Sequence, residues 1–94
     1  MKILAHTYKV ILDKKLDFND RTSAQCNFGS LIIKVCPDYP ETRQQEGLMH
    51  EIIEAINYHL SLKLDHDNIE RLGEAIFQVL NDNGIWKKYE FREP

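Results

Sequence analysis

The chain has 94 residues, 43% of them apolar and 29% charged, with a formal net charge of −3. A single domain over residues 1–94 is expected, with enough apolar content to exclude disorder and enough length for a modest core. No apolar run is long enough to cross a bilayer. The 12 basic residues are scattered rather than gathered on one face, so neither membrane nor nucleic acid is an expected partner.

The first six residues lack an apolar signal core. The two cysteines, Cys26 and Cys36, are too few for the disulfide framework of a small secreted domain. A cytoplasmic location with both thiols free is therefore expected.

The first third of the chain reads as strand. In residues 8–12, Tyr8, Val10 and Leu12 alternate onto one face. Residues 13–23 are polar and turn-like. Residues 24–28 and 31–36 flank Gly29-Ser30, the spacing of a hairpin, which would set Cys26 opposite the neighbourhood of Ile33 rather than Cys36. The second arm is β-branched and apolar on both faces except at Lys34, as befits a central strand. Pro37 and Pro40 end it, because proline cannot donate to a ladder.

From about Thr42 the period becomes helical. Met49, Ile52, Ile53, Ile56 and Leu60 form one apolar stripe. Thr42 and Gln45 have the spacing of a capping box, and the helix should fade near Lys63. A connection through Asp65-His66-Asp67 leads to a second helix. Asp67 and Glu70 are its expected cap and box residues, and its stripe is Ile69, Leu72, Ile76, Val79 and Leu80. Gly84 is a typical stop. Residues 85–92, with Trp86, Tyr89 and Phe91, read as a closing strand or a tail on the core or on a second copy of the chain. The expected fold class is α+β: a short antiparallel sheet of three strands followed by two packed antiparallel helices. Ile33, Ile52, Ile56, Leu72 and Ile76 are expected to be buried together.

Chemistry concentrates on the first helix. Residues four apart lie within about 40° of one another on a helix surface, so His50 and Glu54 share a face with Glu46, Asn57 and Ser61 nearby. The pattern is H-E-x-x-E. In the related H-E-x-x-H arrangement two histidines hold zinc and the Glu between them takes a proton from the metal's water. Glu51 occupies that base position. A carboxylate at Glu54 can also ligate zinc, but a set with one imidazole suits harder ions such as manganese or iron better.

The stretch from Glu41 to Ile56, with its Arg43-Gln44-Gln45 start and Leu48-Met49-His50-Glu51-Ile52, resembles the motif helix of small phage and prophage zincin-like metallopeptidases. Residues 69–83 resemble their following helix, and the resemblance covers roughly residues 24–83. It implies a minimal zincin-like core and a peptidase-type hydrolase. Its cofactor would be zinc or another divalent metal, held by His50, Glu54 and a Glu early on the second helix, which by position is Glu70, with Glu74 next. Glu51 would be the catalytic base. The sequence departs from the family at Glu54, where the second His of the motif belongs.

Two functions from different classes follow. One is a metal-dependent hydrolase, or a metal-binding relative of one, acting at this site. The other is a non-catalytic binding or regulatory protein on the same scaffold, with a peptide or protein partner or a second copy of the chain. On the second reading His50, Glu51 and Glu54 form a solvated helix face, Glu70 completes a helix cap, His59 is a partly buried core or interface histidine and His66 a loop residue.

Overall fold

A computed structural model of the protein describes residues 1–16 and 23–91. Most of the turn-like stretch expected over residues 13–23, and Arg92 of the C-terminal segment, lie outside the described residues. The architecture is α+β. Two short strands, β1 (Lys2–Ile3) and β2 (His6–Thr7), pair antiparallel. Strands β3 (Lys9–Leu12), β4 (Ala24–Asn27) and β5 (Ile32–Val35) form a second sheet in the order β3-β5-β4. Helices α1 (Glu41–Leu60) and α2 (His66–Asp82) follow and pack on each other. No helix among the described residues is long and apolar enough to cross a membrane.

The three-stranded sheet is mixed. β4 and β5 form the antiparallel hairpin, with Cys26 opposite Ile33, whereas β3 runs parallel to β5. The strand that is apolar on both faces takes the centre, and the more polar β4 is left at the edge, facing α1. The hairpin turn is fixed by Asn27, whose Oδ1 accepts the backbone N–H of Gly29 at 3.0 Å and of Ser30 at 2.9 Å. Leu31, not Gly29, takes the left-handed conformation there, at φ 58°. Both cysteines are free.

Ile3, Tyr8, Val10, Ile33, Val35, Leu48 and Ala55 form the buried core. The helix stripes sit differently from the sequence expectation. On α1 the buried side chains include Leu48, Met49, Glu51 and Ala55, while Ile52 and Ile56 are only half-buried and Leu60 is exposed. The helix is rotated so that its small residues meet the sheet. A Cβ on Gly47 would lie 3.3 Å from the Cβ of Ala24 on β4, so glycine permits this close approach. On α2 only Ile69, Gly73 and Phe77 are buried, and Leu72, Ile76 and Val79 are exposed. A sheet of three short strands, already covered by α1, offers α2 no second surface on which to bury a full stripe.

The caps also differ. α1 begins at Pro40 with no side-chain cap, and Gln44 instead fastens the entry turn through its amide, which donates to the carbonyls of Pro37 and Tyr39. Gln45 is buried. Its Nε2 donates to the carbonyl of Tyr89 at 2.9 Å, and its Oε1 accepts from Trp86 Nε1 and Tyr89 N. The described part of the C-terminal segment is therefore a tail held on the core rather than a strand. The cap of α2 is Asp65, accepting from Asn68 N at 2.8 Å, and not Asp67. Glu70 is thus no capping-box residue, and His66 belongs to the helix rather than to the loop. Gly84, at φ 68°, follows the end of α2.

Candidate metal centre

The spacing of His50 and Glu54 puts their side chains on the same strip of α1. The end of that helix brings α2 back to them. Ser61 takes a left-handed turn at φ 53°, and Leu62 N–H returns to the carbonyl of Asn57 at 3.1 Å. Asn57 Oδ1 then accepts Leu64 N–H at 2.9 Å. With Asp65 capping the next turn, His66 opens α2 beside His50, their ring centroids 5.3 Å apart. Ligand atoms of His50, Glu54 and His66 all lie within 4.8 Å of one another. Two imidazoles and one carboxylate are a recognised hydrolytic zinc set. Tetrahedral bonds of about 2.0–2.2 Å put donors about 3.4 Å apart, so the three need draw in only by a side-chain adjustment of order one ångström.

The third converging donor is His66. Glu70, one turn further along α2, is exposed and lines the adjoining part of the cleft with Glu46 and Glu74. The signal for His66 was present in Asp65 and Asn68. Taking Asp65 as the cap puts the imidazole in the first turn of α2 rather than in a loop.

Glu51 lies at the back of the cleft, 7% exposed. Burial, reinforced by the neighbouring Glu54 carboxylate, pushes its carboxyl up to about 7. The nearby thiol is different in kind. Burial, and then the charge of Glu51, pushes Cys26 up to about 11, so it is a neutral lining group and not a thiolate nucleophile.

On the far side of α1, half-buried His59 pairs with the buried Tyr8. The Tyr8 hydroxyl and His59 Nε2 are 2.6 Å apart, and the His6 ring stacks on His59 at 4.2 Å. Burial pushes the phenol up to about 12, so the hydroxyl keeps its proton in this contact. This is the structural histidine expected from its place beside the apolar stripe.

Beside the cluster of His50, Glu54 and His66 the cleft, about 750 Å³, is bounded by β4 and the hairpin turn on one side and by α1 on the other. In comparison with known proteins, the chain matches no protein family, no curated protein and no solved structure.

Proposed function

We propose that the protein is a divalent-metal-dependent hydrolase of peptide-type bonds, with His50, Glu54 and His66 holding the ion and Glu51 acting as the base. The observation that carries this reading is the convergence of those three donors beside the largely buried Glu51 carboxyl. The second imidazole makes zinc the better fit than the harder ions suggested by a His50/Glu54 pair alone. The resemblance of residues 41–56 to the motif helix of phage-type zincin-like proteins points the same way.

A divalent ion held by His50, Glu54 and His66 would supply the acidity of a bound water and the polarisation of a carbonyl. Glu51 accepts the proton of the attacking water and delivers it to the leaving nitrogen. Its burial keeps competing solvent away from that transfer. The two unbridged thiols accord with a reducing compartment such as the cytoplasm.

The test is zinc-loaded protein against a fluorogenic peptide mixture. Glu51→Gln should retain the metal and lose about 10²–10⁴-fold in turnover. No hydrolysis by the unaltered protein, or undiminished hydrolysis by the variant, contradicts the reading. The exposed apolar residues Leu72, Ile76 and Val79 of α2 favour the second reading, a binding protein that uses this face for a partner or a second copy.

A further inference from the structure

The cleft has two chemically different ends. Glu46, His50, Glu54 and Tyr58 follow one another at four-residue intervals, so a single strip of α1 runs its whole length. At the Tyr58 end the walls are aromatic. Phe28, from the hairpin turn, stacks on Tyr58 with ring centroids 4.2 Å apart and planes 3° from parallel. Tyr58 remains 56% exposed, an aromatic surface left open to the cleft. The cation in that half, Lys34, is paired with Asp13 at 3.4 Å.

At the Glu46 end the walls are acidic. Glu46, Glu70 and Glu74 line it and have no ion-pair partner among the described residues. The basic residue there, Arg43, stacks over the ring of Tyr39 at 5.6 Å. His50, Glu51 and His66 line both halves. Glu51, 7% exposed, makes no hydrogen bond to another described residue, and its carboxyl opens to the cleft where the halves meet.

We propose that the cleft takes an extended peptide with a lysine or arginine side chain at the Glu46/Glu70/Glu74 end and an aromatic side chain against Phe28 and Tyr58, on opposite sides of the peptide bond lying over His50, Glu51 and His66. This rests on the metal-site reading for what happens to that bond, but not for the recognition itself. The length fits. The twelve helical steps from Glu46 to Tyr58 span about 18 Å, the reach of five or six extended residues, whereas a single amino acid cannot touch both ends. The charge fits as well. A guanidinium or ammonium group supplies the partner that the three carboxylates lack, and an acidic side chain is repelled there.

The probes are fluorescein-labelled hexapeptides with arginine towards one end and phenylalanine towards the other, in both orders, N-methylated at the central bond to resist cleavage. Anisotropy should favour one order about tenfold or more over peptides with alanine in place of either residue. Replacing arginine by glutamate should abolish binding. The surface pair Glu70→Lys/Glu74→Lys should remove the arginine preference and spare the phenylalanine preference, and Tyr58→Ala should do the reverse. Because a variant can misfold, the unaltered protein is also titrated with salt, which should weaken the arginine contribution and leave the phenylalanine contribution intact. Equal binding of acidic and basic peptides, or equal loss of both preferences in each variant, overturns the proposal. So does spermidine displacing the peptide at equal concentration, which would make the ligand a free polyamine. Calorimetry with zinc separates the two failures. Peptide discrimination without zinc binding sinks the metal reading alone, and zinc binding without discrimination sinks this one alone.

Discussion

Helices α1 and α2 have comparable apolar content but very different surroundings. α1 is held along its length, by β4 at Gly47, by the core at Leu48 and Ala55, and by the C-terminal tail through Gln45. α2 buries only Ile69, Gly73 and Phe77 and leaves Leu72, Ile76 and Val79 exposed. The candidate metal centre draws its donors from both. His50 and Glu54 come from the rigid helix. His66 comes from the first turn of the lightly packed one, where the side-chain bonds of Asn57 and Asp65 do the positioning. The difference teaches that the strength of this site depends on the connection between the helices as much as on the motif.

The contrast in packing gives the largest expected effect. Leu48 is fully buried, so Leu48→Ala should destabilise the protein by about 2–5 kcal/mol in urea unfolding. Leu72 is 42% exposed, so Leu72→Ala should cost no more than about 1 kcal/mol. Equal costs would mean that α2 is packed as firmly as α1, or that a second copy covers it.

The carboxyl buried under α1 comes next. In metal-free protein Glu51 is raised from 4.5 to about 7, so the fold favours its protonated form. That contribution is fully present below pH 4.5 and is lost as pH rises through about 7. Glu51→Gln keeps the neutral shape at every pH. It should therefore match the unaltered protein at low pH and exceed it by roughly 2–3 kcal/mol above pH 8. A stability difference that does not change with pH would show that Glu51 is not held in a desolvated position.

The smallest effect tests the start of α2. Asp65→Ala removes the cap and should cost about 1 kcal/mol, while Asp67→Ala should change stability by only a few tenths. The reverse order in thermal melts would return the cap to Asp67 and His66 to the loop.

Much of this fold was legible in the sequence. The Gly29-Ser30 spacing gave the hairpin and its Cys26–Ile33 register, and the two-sided apolar character of residues 31–35 gave the central strand. The helical periods gave both helices. What could not be read was rotation and pairing. Apolar counting put Ile52 and Ile56 at the centre of α1's buried face, but close packing against β4 favours the side bearing Gly47, Leu48, Glu51 and Ala55. The parallel pairing of β3 with β5 depends on a crossover that local pattern does not encode. His50, Glu51 and Glu54 were visible because helical spacing alone puts them side by side. His66 was not, because its position depends on which of two aspartates, two residues apart, caps the helix.

Isothermal titration of zinc into the tag-free, metal-free protein tests the central claim most directly, alongside His66→Ala and Glu70→Ala. The account predicts one zinc per chain, a loss of about a hundredfold or more in affinity for His66→Ala, and a change of no more than about threefold for Glu70→Ala. Absence of zinc binding by the unaltered protein, or a loss on removing Glu70 but not His66, would contradict it.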